Sequence, residues 1–223
     1  LFFLGWAHYK LAEYSKAIER FEQLNTTYPK HARYQESLYL SGWSAYASES
    51  FSRAEEVFAE YARFAEGEND RMRGLYMYAK SLAAQEKRKE ALSVYRQIFE
   101  EGTRTQPADE ALFEYASLLE EEGRVEESLE NYMRLFEEYP RSSLAEEALF
   151  RRGEILEEEG RYEAAREAYY EHRSRFPEGE LVDVSLYHGA IAAQRNDQPY
   201  GAALQLERLV EEYPDSAFHS QAL

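Results

Sequence analysis

Acid–base, nucleophilic or metal chemistry in this chain would have to come from few side chains. The 223 residues include five histidines, His8, His31, His172, His188 and His219, and no cysteine. Without thiols there is no disulfide, no thiolate nucleophile and no cysteine metal site, and the redox compartment leaves no mark. The histidines are dispersed, and no His-Glu-x-x-His pair, phosphate-cradling glycine-rich loop or nucleophile elbow accompanies them. Catalysis needs a nucleophile beside a base, or an acid and a base whose pKa values are pushed apart. No such set is visible, so we expect no enzyme activity, no cofactor and no metal site. Asn25-Thr26-Thr27 matches a glycosylation sequon, which has meaning only in a glycosylating secretory route.

Binding chemistry is better represented. Trp6 and Trp43 are the two tryptophans, and each is followed three residues later by a tyrosine, Tyr9 and Tyr46. Tryptophan and tyrosine are the residues most enriched at binding hot spots. Two glutamate runs, Glu120 to Glu122 and Glu157 to Glu159, are either solvated helix ends or an acidic wall for a basic ligand. Neighbouring carboxylates on one helix do not by themselves surround an ion with the ~6–8 oxygens that calcium takes. Lys and Arg total 26 against 43 Asp and Glu, a net charge of −17, which argues against a nucleic-acid partner. The longest apolar run, Leu1 to Ala7, is far shorter than the ~20 residues of a membrane span, and no basic stretch precedes it. No direct membrane insertion by this segment is expected.

Both the tryptophans and the glutamate runs are 37 residues apart, and that interval organises the whole chain. Ala17, Ala54, Ala91, Ser128, Ala165 and Ala202 form one small-residue column, and Gly5, Gly42, Ala79, Ala116, Gly153 and Ala190 form another. A fixed period of this size marks a stacked repeat protein. Within a unit, Leu38, Gly42 and Ala45, or Leu149, Gly153 and Leu156, stand four and three apart, which is one face of a helix. A second stripe starts at the first small column and continues through Phe21, Phe58, Tyr95, Tyr132, Tyr169 and Leu206, then Leu24, Tyr61, Ile98, Leu135, His172 and Leu209. Each repeat is therefore a helical hairpin. His8 and His172 fall in these apolar columns and are expected to be packing residues.

The breakers agree. Gly123-Arg124, Gly160-Arg161 and Asn196-Asp197 separate the two helices of a unit. Tyr28-Pro29, Tyr139-Pro140, Phe176-Pro177 and Tyr213-Pro214 stop the second helix, while Glu66 and Thr103 replace the proline in units two and three. Ser142 or Ser143, and Asp215 or Ser216, are expected to cap the following helix.

These residues resemble the tetratricopeptide repeat (TPR) family, above all Arg161-Tyr162-Glu163-Ala164-Ala165 with the preceding Leu149, Gly153 and Gly160. The resemblance covers the whole chain, with three residues more per unit than the usual 34 placed after the proline. It implies an all-α, right-handed superhelical solenoid of helix-turn-helix repeats. The expected organisation is a single array over 1–223. Six repeats fall at about 1–31, 32–68, 69–105, 106–142, 143–179 and 180–216, followed by the start of a seventh helix pair. The chain begins at Leu1 without Met and stops at Leu223, 37 residues after Leu186, so an excerpt of a longer array is expected. The lengthened unit with Tyr-Pro and a following Ser is similar to repeats of bacterial cell-envelope proteins, among them the lipoprotein of the β-barrel assembly machinery and periplasmic division-coordinating proteins. That points to the periplasm or envelope rather than the cytoplasm.

In the family the first helices line the concave face, so the columns beyond their buried stripe are the candidate groove. The first reads Phe2, Tyr39, Tyr76, Phe113, Phe150 and Tyr187, either inter-repeat packing or ligand contact. The next two change along the chain: Trp6, Trp43, Lys80, Ser117, Glu154 and Ile191, then Tyr9, Tyr46, Ala83, Glu120, Glu157 and Gln194. The tryptophans either bind a ligand or cover apolar surface that a preceding repeat would bury. Candidate partner-binding residues are therefore Trp6, Tyr9, Tyr39, Trp43, Tyr46, Tyr76 and Lys80, with Glu120, Glu121, Glu154, Glu157 and Glu158 in an acidic C-terminal half. The expected function is a protein-interaction scaffold holding a peptide segment or partner protein. The alternative is a structural subunit of a larger or self-associating assembly.

Overall fold

A computed structural model describes residues 1–102 and 106–223, so Thr103 in the third proline column lies outside the described residues. Among the described residues there are thirteen helices and no strand. They pair as hairpins: α1 (Phe2–Lys10) with α2 (Tyr14–Thr27), α3 (Tyr34–Ala47) with α4 (Phe51–Phe64), and α5 (Glu68–Ala83) with α6 (Arg88–Glu101). The series continues with α7 (Ala108–Glu121) and α8 (Val125–Glu138), α9 (Ala145–Glu158) and α10 (Tyr162–Arg175), and α11 (Val182–Arg195) and α12 (Pro199–Glu212). A short α13 (His219–Ala222) follows. The chain forms two compact units, Leu1–Leu118 and Leu119–Leu223.

The small columns do what their size allows. Ala17, Ala54, Ala91 and Ala165 are fully buried. A Cβ added at Gly5 or Gly42 in the first unit would stand 2.7 or 2.8 Å from the ring of Phe21 or Phe58, and at Gly153 in the second it would stand 2.5 Å from Tyr169. The aromatic of each second helix thus lies directly on the backbone of the first, at a distance no larger residue permits. In α5 the stripe is shifted: Leu75 is half-buried while Met72 and Met77 are buried.

Every hairpin turns at one left-handed residue. Gly123 and Gly160 have φ of +71° and +69°, and the same place in other units is held by Ala12, Glu49, Glu86 and Asp197 with φ between 55° and 59°. The next residue donates its N–H back into the first helix, as Lys87 does to Leu82 and Arg161 to Leu156 at 3.0 and 2.8 Å. This closes the end of the first helix by the Schellman pattern. The prolines stop the second helices as expected, with Tyr28, Tyr139, Phe176 and Tyr213 as the C-terminal caps.

The expected serine caps are corrected. Helix α9 starts after Leu144 and α13 after Phe218, and neither has a side-chain cap. The hydroxyls of Ser142 and Ser216 instead accept the N–H of Leu144 and Phe218, each at 3.1 Å. They fold the turn before the helix, because the extra residues after the proline set them two positions too early to reach the helix's own free N–H groups.

Candidate functional site

In the first unit, α3 and α5 bring three of the predicted aromatics to one cleft. Tyr39, Trp43 and Tyr76 line a recess of about 260 Å³ with Arg73, Met77 and Glu110. Trp43 is half-buried against the core of Ala45, Ala54, Phe58 and Met77. Tyr39 packs on Phe58 and Tyr61 with ring centroids 6.0 and 5.2 Å away, and the Arg73 guanidinium lies over its ring, 4.8 Å from the centroid. Tyr46 stands edge-on to Trp43 at 6.1 Å and to Phe51 at 5.3 Å, behind the cleft wall.

Beside the recess, the polar groups next to Tyr76 are internally paired. Lys80 Nζ donates to Glu114 at 2.8 Å and lies 5.6 Å over the Tyr76 ring, and the Tyr76 hydroxyl donates to the same carboxylate at 3.4 Å. Burial alone would lower the Lys80 pKa, but the hydrogen bond and charge of Glu114 outweigh it and raise it. Burial, then the charge of Asp109, raises the Glu110 carboxyl above its usual range against the opposing pull of Lys80. Trp6 and Tyr9 do not join this cleft. Trp6 is 43% exposed, with Lys10 Nζ 5.6 Å from its ring, and Tyr9 packs beside the core of Phe2, Ala17, Phe21 and Leu24.

In the second unit the predicted glutamates have partners of their own. Arg151 pairs with Glu120, with Glu154 at 2.8 Å and, more distantly, with Glu158 at 3.8 Å. Glu120 also accepts from the Tyr132 hydroxyl at 3.4 Å. Glu157 accepts from the Tyr169 hydroxyl at 3.1 Å and lies 3.0 Å from Nδ1 of His188. Burial opposes the charge on Glu157, yet the His188 and Tyr169 contacts hold its pKa below the usual carboxylate value, and the Glu157 bond raises that of His188. Of the predicted acids, Glu121 and Glu158 are the exposed ones.

Arg73 was missed with no comparable signal in its column, and Arg151 and His188 were missed by reading single columns. The signal was one column over: Phe3, Leu40 and Met77 give way to Glu114, Arg151 and His188. A basic side chain therefore enters 31 residues after each groove glutamate, Glu120 and Glu157. His172 is fully buried, as its column requires, with its Nε2 3.5 Å from Glu146 and Phe150 and Phe176 beside its ring. Burial pushes its pKa down to about 4, against the pull of Glu146. Among the described residues no group of three or more His, Asp or Glu could hold a metal ion, and no helix is long and apolar enough to cross a membrane.

The family profile described as YfiO, outer membrane lipoprotein, matches residues 1–178. The chain belongs to this family. A tetratricopeptide repeat profile matches residues 184–216 as well. Solved structures with the same fold include a tetratricopeptide repeat protein from Parabacteroides merdae, 20% identical with a TM-score of 0.62 over 84% of this chain and 70% of that one. BtubC from P. vanneervenii is 12% identical with a TM-score of 0.64, covering 90% and 88%. YrrB, described as a TPR protein with an unusual peptide-binding site, is 15% identical with a TM-score of 0.59, covering 92% and all of that chain. No curated protein sequence matches significantly. The fold is thus the all-α TPR fold, whose members serve as protein-interaction scaffolds.

Proposed function

We propose that this member of the YfiO family is a non-catalytic scaffold that holds a partner segment on its first helices, with its main anchor in the α3–α5 cleft. The observation that carries this reading is the recess walled by Tyr39, Trp43 and Tyr76 and rimmed by Arg73 and Glu110. Aromatic walls with two opposite charges at the mouth suit an apolar side chain of an extended or helical peptide whose backbone stays hydrated. The description of YrrB as peptide-binding supports the same use of the fold, and the family's description supports a place in the bacterial cell envelope. Trp6 and Tyr9 add a separate aromatic contact. A basic ligand residue would have to compete with Arg151 for Glu120, Glu154 and Glu158, and with His188 for Glu157, so the acidic half is a secondary contact whose exposed members are Glu121 and Glu158.

The test is capture of partners from the source cell with this chain and with Trp43→Ala, followed by affinity measurement on the partner retained. We expect the variant to keep its helicity and to bind by about 2 kcal/mol or more less tightly. Equal affinity would remove the site from this face. Concentration-dependent mass of the isolated chain, with no foreign partner retained, would move the reading to the self-associating structural subunit.

A further inference from the structure

The second unit holds a cleft that the groove argument does not reach, on the second helices. Arg166, Tyr170 and Arg173 of α10 face Leu204, Gln205 and Arg208 of α12 across about 420 Å³. The lining has three arginines and no carboxylate, in a chain of net charge −17.

Its residues depart from the repeat. Arg173 stands where other units have Asn25, Ala62, Phe99, Phe136 and Val210, and Leu204 stands where they have Glu19, Glu56, Ser93, Glu130 and Glu167. An interior column has gained a cation and a solvent column has lost its acid. Tyr170 is 66% exposed and Leu204 58% exposed, so the cation lies beside uncovered apolar surface.

Arg173 is held by neutral groups. Nη1 donates to the Ser185 carbonyl at 2.7 Å and its hydroxyl at 3.3 Å, and Nη2 donates to Gln205 at 3.0 Å. Gly189 makes the room, since a Cβ there would lie 3.0 Å from Nη1 and 2.5 Å from Gln205 Oε1. Among the described residues no carboxylate is within ion-pair distance of Arg173, whereas Arg166 pairs with Glu163 and Arg208 with Glu212. Burial, and then the neighbouring charge of Arg208, lowers the Arg173 pKa to about 10. A pre-oriented guanidinium without a counter-ion is a donor site for a carboxylate. Screening over ~8 Å keeps the chain's remote acids from cancelling it.

We propose that α10 and α12 form a second docking site, for an acidic segment of a partner protein. Arg173, flanked by Arg166 and Arg208, takes an Asp or Glu side chain, and Tyr170 and Leu204 hold the apolar residue beside it. The site is independent of the α3–α5 cleft.

The probe is a fluorescent, acetylated and amidated peptide with an Asp-Leu-Phe core, titrated against the chain at physiological salt. We expect saturable binding that falls at least about tenfold with an Asn-Leu-Phe core, and by a similar factor in Arg173→Met and in Leu204→Glu, while Trp43→Ala leaves it unchanged. Leu204→Glu restores the residue of other repeats at an exposed position, so it tests the site should Arg173→Met lose stability. Absence of saturable binding, or Asp and Asn cores binding alike, would overturn the proposal. So would equal binding of an Ala-Leu-Phe peptide through a free terminal carboxylate, or Arg173-dependent capture of phosphatidylglycerol vesicles in place of the peptide.

Discussion

The same two columns read differently in the second repeat, within the first unit, and in the fourth and fifth repeats, within the second unit, and the difference explains Glu120 and Glu157. In the first, Tyr46 of α3 precedes Phe58 of α4 by 12 residues, and the surface above the ring is aromatic. In the second, Glu120 and Glu157 precede Tyr132 and Tyr169 by the same 12, and each carboxylate accepts the phenol proton. The rings of Phe58, Tyr132 and Tyr169 are equally buried, and where the ring carries a hydroxyl at Tyr132 and Tyr169 the glutamate supplies its acceptor, whereas Tyr95 of the first unit has Ala83 in the glutamate's place. Glu120 and Glu157 are thus part of the packing of the second unit before they are part of any binding surface. Arg151 then offsets the charge that this solution brings to Glu120, and His188 contacts Glu157 at 3.0 Å.

The strongest way to sharpen the comparison is pH, because the second unit alone places histidines at these positions. His172 is neutral and buried with a folded pKa of about 4, so its protonation favours the unfolded chain, and stability falls as pH drops from about 6.5 toward 4. His172→Leu, the residue of α2, α8 and α12 at this place, should remove up to about 3 kcal/mol of that acid loss in denaturant melts at pH 4 to 7. His188 has the opposite sign. Its pKa is raised, so its pairing with Glu157 is intact below about 6.5 and fades as pH rises. A His172→Leu chain with an unchanged acid limb would break this account.

Overpacking should treat the two units alike. Ala54→Leu and Ala165→Leu both fill positions with no exposure and should each cost about 1–3 kcal/mol. A melting temperature unchanged in either would contradict the hairpin register. The phenol pairing predicts a difference instead: Glu157→Leu should cost about 1–2 kcal/mol by stranding the Tyr169 hydroxyl, and adding Tyr169→Phe should recover most of it. In the first unit Tyr46→Leu has no such partner effect with Phe58, so a coupling of equal size there would dissolve the distinction.

The smallest effect concerns the turns. Gly160→Ala should destabilise by about 1 kcal/mol because its φ of +69° disfavours a side chain, and Glu86→Gly, at φ +59°, should be neutral or stabilising by a few tenths. Thermal melts of both single variants check the sign.

Much of this was legible in one chain. The 37-residue interval, the small columns and the Tyr-Pro stops predict the hairpins and their register, and the helices fall where those marks put them. The turn residues Ala12, Glu49 and Glu86 were not legible, because a left-handed backbone leaves no trace in an alanine or a glutamate. The geometry of the candidate cleft was legible only in part: Tyr39, Trp43 and Tyr76 line one recess, while Trp6 stands apart and Tyr46 is not among the lining residues.

By itself the sequence determined what is periodic, since close helix packing demands a small residue at fixed intervals and helical geometry turns spacing into faces. Only the tertiary structure decided which departures from the period are answered inside the protein. Glu120 and Glu157 meet Arg151 and His188 from the following repeat, whereas Arg173 meets only neutral acceptors. The physical reason is distance. A charge in a column announces a need for a partner, and whether that partner lies within about 4 Å depends on how neighbouring hairpins stack.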